Sequence, residues 1–162
     1  MQKDSYPSLV NFRDKYIFMT GGTRTRKEDS WAREVFRYNI CFDSWSSLPS
    51  LNVGRQYHSS CVVESAIYVC GGVDLQGKYV EMSLEKLRVK DLDGFATARR
   101  WEVLDIPTFK MKNFLMVPIT SNEILFLGGS FDGKNAPAAS IINLMDMRYT
   151  SFPKILRQEH YI

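Results

Sequence analysis

The side chains of this 162-residue chain with the most obvious capacity for chemistry are three cysteines, Cys41, Cys61 and Cys70, and two histidines, His58 and His160. A catalytic thiol needs a base within hydrogen-bond reach, and a zinc site needs Cys or His at short paired spacings. The cysteines lie 20 and 9 residues apart (61 − 41 and 70 − 61), no Cys-x-x-Cys pair exists, and neither histidine completes a zinc spacing. No catalytic residue, metal ligand or cofactor is assigned on these grounds. Cys61 in "SSCVV" and Cys70 in "YVCGG" sit in apolar runs, where cysteine is usually buried and inert.

The glycine pair beside Cys70 raises a third chemistry, the cradling of phosphate by backbone N–H groups. Such loops need Gly-x-x-x-x-Gly-Lys-Ser/Thr, or Gly-x-Gly-x-x-Gly between a strand and a helix. The chain has "GGTRTRK" from Gly21, "GGVDLQGK" from Gly71 and "GGSFDGK" from Gly128, which match neither pattern, and no clear helix follows them.

What the glycines do is recur. "YIFMTGG" ends at Gly21-Gly22, "IYVCGG" at Gly71-Gly72 and "ILFLGG" at Gly128-Gly129, with spacings of 50 (71 − 21) and 57 (128 − 71). The residue before each pair is Thr20, Cys70 or Leu127, so a thiol is not required there. Further along, Tyr38 stands seven residues before Trp45 and Pro49 four after it; Ile142, Tyr149 and Pro153 repeat that spacing. The middle copy has Trp101 and Pro107, and an insertion around the turn dipeptide Asp93-Gly94 accounts for most of its extra length. A second strand-like run precedes each glycine run across a polar turn. The unit therefore reads strand, turn, strand, Gly-Gly, variable loop, strand, turn, aromatic strand. Four antiparallel strands in about 50 residues make the blade of a β-propeller.

These residues resemble the kelch repeat, through the glycine pairs, the Tyr38/Trp45 spacing and the run "RQYHSSCVVESAIYVCGG" from Arg55. The resemblance implies an all-β, kelch-type propeller of about three four-stranded blades, an incomplete ring or part of a larger one. Repeats are expected over 1–49, 50–107 and 108–153, with a short tail over 154–162. The first two fit the repeat better than the third, and the second offers Leu87 or Val89 where the Tyr is missing. Gly21, Gly22, Gly71, Gly72, Gly128 and Gly129 are expected to supply backbone angles closed to other residues. Tyr38, Trp45 and Trp101 are expected to fill the wedges between blades.

Function in such a scaffold is expected from loops on one rim. The loops that vary most span 23–34, 73–85 and 130–138. The first carries Arg24, Arg26, Lys27, Trp31 and Arg33, a composition common at interface hot spots. Arg55, Gln56, Tyr57 and His58, leading into the second repeat, form a second candidate surface. The balance of 21 basic and 18 acidic residues points to neither nucleic acid nor an anionic membrane. No run is long enough for a signal peptide or membrane span, and the unpaired cysteines fit a reducing, cytoplasmic setting. The leading expectation is a non-enzymatic protein-interaction module, with a cytoskeletal or scaffolding role compatible with the resemblance. Its alternatives are a kelch-type enzyme with a central small-molecule pocket and a substrate adaptor of a ubiquitin ligase, although no BTB or F-box region precedes the repeats. Three blades leave two apolar faces open, so completion of the ring by another copy, another chain or further sequence is expected.

Overall fold

Each glycine pair ends, or in the third copy lies within, the second strand of an antiparallel sheet. The computed structural model describes residues 6–22, 31–80, 83–90, 93–106, 110–131, 134–135 and 139–152. The first sheet runs β1 (Ser8–Phe12), β2 (Tyr16–Thr20), β3 (Val35–Asn39), β4 (Ser44–Leu48), each strand pairing with the next. The second repeats this order with β5 (Ser59–Val63), β6 (Ala66–Cys70), β7 (Ser83–Arg88) and β8 (Glu102–Asp105). The third has β9 (Lys112–Thr120), β10 (Glu123–Phe131), β12 (Ala139–Asn143) and β13 (Tyr149–Phe152), with the two-residue β11 (Lys134–Asn135) on the far end of β10. A single 3-10 turn at Trp31–Arg33 is the only helical segment among the described residues. These are three propeller-type blades.

The first strands, β1, β5 and β9, lie side by side on the inside of the stack. Ser8 and Ser60 share a hydroxyl hydrogen bond of 2.7 Å, and the Met116 N–H donates to Ser59 Oγ at 3.0 Å. Tight hairpins join the first two strands of each blade, and the last two strands of blades 1 and 3, at one end; in blade 2 the last two strands are joined by the longer connection 89–101. The glycine pairs and the blade-to-blade connections gather at the other, here called the glycine end.

Alternation along the strands assigns each residue to one of two packing directions. Counting back from the first glycine, the odd positions of blade 1 (Thr20, Phe18, Tyr16) face blade 2. The even positions of blade 2 (Val69, Ile67) face back toward them, in a core that includes Phe12, Val35, Leu87 and Trp101. Blade 2 then turns its own odd positions (Cys70, Tyr68, Ala66) to the even positions of blade 3 (Phe126, Ile124), joined by Leu84, Phe114 and Ile142. A sheet covered on both faces needs near-continuous apolar runs, which explains why all five residues of β6 are buried. Full burial of side chains such as Phe18 and Ile67 stabilises the junction by about 1.5–3 kcal/mol each.

The seven-residue aromatic spacing is a hairpin register: Tyr38 lies opposite Trp45, with ring centroids 5.0 Å apart, and Ile142 opposite Tyr149. Leu87, opposite Ile67, takes the place of the missing Tyr in blade 2. One expectation is corrected. Trp101 is buried in the wedge between blades 1 and 2, but Trp45 is 56% exposed and Tyr38 only partly covered. Both belong to the even face of blade 1, which points away from blade 2, so no wedge exists there for them to fill.

The insertion at Asp93-Gly94 is more than a loop. Gly94 has φ 61°, and its α-carbon sits where a β-carbon would press on Phe18, Tyr16 and Arg37 of blade 1 at 3.2–3.4 Å. The Arg37 guanidinium lies between the rings of Phe95 (3.7 Å) and Tyr16 (4.9 Å) and donates to the Asp93 carbonyl. Blade 2 thus clamps blade 1 through its insertion as well as its face.

Candidate interaction surface at the glycine end

The segment leading from β4 into β5 carries the residues that looked most chemical, and the structure puts them inside. Arg55 is fully buried and pairs with fully buried Glu85 of β7, Nη2 to Oε1 at 2.5 Å. Its Nη1 donates to the Gly71 carbonyl at 3.0 Å. Glu85 also accepts from the Asn52 backbone at 2.7 Å and the Asn52 side chain at 3.0 Å. His58 is 7% exposed, and its Nε2 meets Thr20 Oγ1 of blade 1 at 2.9 Å. Arg55 and His58 are therefore corrected from partner-contact candidates to a polar joint between blades 1 and 2. Their backbones follow the glycine exit so closely that both side chains are driven into the junction.

Protonation at this joint follows from burial. Desolvation first, then the neighbouring Arg55 charge, lowers the His58 pKa to about 3, so the ring is neutral near pH 7. Burial likewise pushes Cys61 and Cys70 up to about 12, which keeps both as inert thiols. Cys41 is exposed in the β3–β4 turn.

The same joint exists between blades 2 and 3 in apolar form. The N–H of the second glycine reaches the incoming chain at Arg55 O in one junction (Gly22, 3.0 Å) and Met111 O in the other (Gly72, 2.8 Å). A β-carbon on the first glycine would meet His58 at 2.7 Å from Gly21, and Phe114 at 2.7 Å from Gly71. Met111 thus replaces Arg55, Phe114 replaces His58, and Ser140, opposite Phe126, replaces Glu85, which lies opposite Val69. The ion pair is not something the blade architecture requires.

The groove along the inner strands is lined by Ser8, Asn11, Ser59, Ser60, Leu115 and Pro118, among others. Three of its four polar side chains, Ser8, Ser59 and Ser60, already hydrogen-bond across blades. Among the described residues no group of three or more His, Cys, Asp or Glu is placed to hold a metal.

Outside the joint, the glycine end presents a strip of aromatic and basic side chains. Tyr6, 39% exposed, stacks on Tyr57 with centroids 4.1 Å apart. Tyr57 takes φ 56°, and its carbonyl accepts the Asn113 N–H at 2.9 Å, which brings blade 3 alongside. Next to Asn113, the Lys112 ammonium lies 5.6 Å from the centre of the Tyr79 ring. Gln56 bridges to Val73, which bridges in turn to Tyr79 and closes the strip. Arg33 is exposed near this end, with Nε on the Leu51 carbonyl at 2.7 Å. Of the sequence-derived candidates, Gln56, Tyr57 and Arg33 lie at this surface. Arg24, Arg26 and Lys27 lie outside the described residues, as does the side chain of Trp31. Tyr79 lies in the 73–85 loop named from the sequence but was not singled out. Tyr6 and Lys112 were missed, because each is an isolated residue whose ring or charge partner comes from another blade. Their one legible signal was position, at or just before the start of a first strand, or in the loop after a glycine pair.

No protein-family model matches the chain. A stretch of 56 residues is 38% identical to Kelch-like protein 21 from Danio rerio, covering 34% of this chain and 8% of that protein. A stretch of 58 residues is 31% identical to Kelch-like protein 6 from Homo sapiens, covering 36% of this chain and 8% of that protein. The similarity relates the chain to kelch-repeat proteins over about the length of one repeat. It leaves most of both relatives unmatched.

Proposed function

We propose that this chain is a non-enzymatic protein-interaction module that works in a reducing compartment, its three blades a scaffold and its glycine end the docking face. The observation that carries this reading is the strip Tyr6–Tyr57–Lys112–Tyr79, drawn from three blades and held by stacking, backbone bonds and a cation–π contact. Interface cores are enriched in tyrosine, and rigid aromatic surface costs little conformational entropy to bury. The buried groups with catalytic potential among the described residues are committed elsewhere. His58 is neutral and bonded to Thr20, Arg55 and Glu85 neutralise one another, and two of the three thiols are held protonated by burial. The partial likeness to two Kelch-like proteins supports the propeller reading of the scaffold. A scaffolding or cytoskeletal setting is compatible with a face of this kind.

Affinity capture from native extract tests the reading. The wild-type chain is expected to retain one protein in stoichiometric amount. A Tyr57→Asn/Lys112→Glu chain is expected to lose it while keeping its fold. Asn stands at the matching left-handed position in blade 3 (Asn113, φ 57°), so the first change removes the ring without new backbone strain. Retention of a small molecule in the inner groove, with no protein partner, would instead favour an enzyme.

A further inference from the structure

The two end faces of the stack are of opposite kind, and each matches a surface already paired inside the molecule. Blade 1 leaves its even face open, with Leu9 60% and Trp45 56% exposed and Ile17, Met19 and Phe36 partly so. Inside the stack, even faces (Ile67 and Val69; Ile124 and Phe126) pack against the odd face of the preceding blade. Blade 3 leaves its odd face open, with Leu115 63%, Ile119 45% and Phe152 41% exposed beside partly covered Leu125 and Leu127. Odd faces inside the stack receive the even face of the blade that follows.

The glycines give a second, independent sign. A β-carbon at Gly21 or Gly71 would strike the incoming chain of the next blade at 2.6 and 2.7 Å, whereas one at Gly128 meets nothing within 4 Å. All three share the same backbone, φ 58°, 67° and 67°. The docking notch beside Gly128 is therefore built like the other two.

We propose that two copies of this chain associate head to tail, the even face of blade 1 in each copy packing on the odd face of blade 3 in the other. A second copy supplies both missing faces at once, in the pairing both internal junctions use. It brings Tyr6-Pro7 to the Gly128 notch in the place that Tyr57-His58 takes at Gly21. Six blades fall within the four to eight of closed propellers. Contiguous apolar rows of this size are rarely left in water by a monomer. The pairing uses blade faces rather than the glycine-end strip, so it stands or falls separately from the proposed function.

Sedimentation equilibrium of the full chain gives the test. Wild type is expected at twice the chain mass. Trp45→Glu and Leu115→Glu each place a charge on one open face at an exposed site, and each alone is expected to run as a folded monomer. Mixed together they are expected to recover a heterodimer, because one of its two junctions joins two intact faces. A wild-type chain that is monomeric across the concentration range would overturn the proposal. So would dissociation by only one of the variants, which marks like-to-like pairing, or a ladder of larger species, which marks a stack that does not close.

Discussion

At the residue scale, Arg55, Glu85 and His58 illustrate how chemical appearance and role separate. A buried ion pair is weak evidence of stability in itself, but removing one member strands the other. Among the described residues Arg55 Nε and His58 Nδ1 have no hydrogen-bond partner, a polar cost that the apolar counterpart at Met111 and Phe114 does not carry. Arg55→Met alone is expected to cost about 3–5 kcal/mol in chemical denaturation. The pair Arg55→Met/Glu85→Ser, which copies Met111 and Ser140, is expected to recover at least half of that loss. Equal costs for the single and double variants would show that the pair is worth more than its apolar copy.

His58 adds a pH signature. Its folded pKa near 3 lies below the ordinary value of 6.5, so between these limits the unfolded chain binds a proton that the native chain does not. The stability held by the neutral ring is complete above about pH 6.5 and is lost as pH falls toward 3. The slope approaches about 1.4 kcal/mol per pH unit. His58→Phe, the Phe114 solution, is expected to flatten the wild-type slope between pH 6.5 and 5 in denaturant titrations. An unchanged slope would place the responsible proton elsewhere. None of this was legible in "RQYHSS", where Arg and His beside turn residues read as surface; the residues that bury them, Thr20 of blade 1 for His58 and Glu85 of β7 for Arg55, are distant in sequence.

At the scale of elements, the repeat was legible because its signals are local. The apolar run before each glycine pair and the seven-residue aromatic spacing are a strand and a hairpin register, both fixed within a dozen residues. What stayed hidden was facing. Trp45 and Trp101 occupy matching positions, yet one is exposed and the other buried, since only the second has a blade in front of it. The Asp93-Gly94 turn was visible as a turn, but its grip on Arg37 depends on blade 1 lying beneath it.

The glycines allow the junction to be weighed against the backbone. Gly71→Ala and Gly128→Ala impose the same left-handed strain, roughly 1–2 kcal/mol, at φ 67° in both cases. Only at Gly71 does the added carbon strike a neighbour, Met111 O and the Phe114 ring at 2.7 Å. In dilute samples, where copies are apart, Gly71→Ala is expected to be clearly the more destabilising of the two by urea denaturation. Equal losses would mean that the incoming chain yields readily and that the notch contributes little.

At the scale of the whole molecule, two different surfaces emerge from one repeated unit. Faces perpendicular to the stack are apolar and select other blades; the glycine end is aromatic and basic and is free to select something else. Loops at that end vary in length and composition while the joints beneath them hold, the division of labour expected when a rigid scaffold carries a variable site. The sequence pointed to this end of the blades through Gln56, Tyr57, Arg33 and the 73–85 loop that holds Tyr79, but not to Tyr6 and Lys112, because only assembly of the three blades brings those residues together.

The buried joint and the proposed docking strip lie only a few residues apart, and one comparison of captured protein tests their separation most directly. Three folded chains are matched for amount in the same native extract: wild type, the joint variant Arg55→Met/Glu85→Ser, and the strip variant Tyr57→Asn/Lys112→Glu. Partner recovery equal to wild type for the joint variant, with loss for the strip variant, is the predicted result. Loss with the joint variant and full recovery with the strip variant would contradict the account, returning function to the buried Arg–Glu pair.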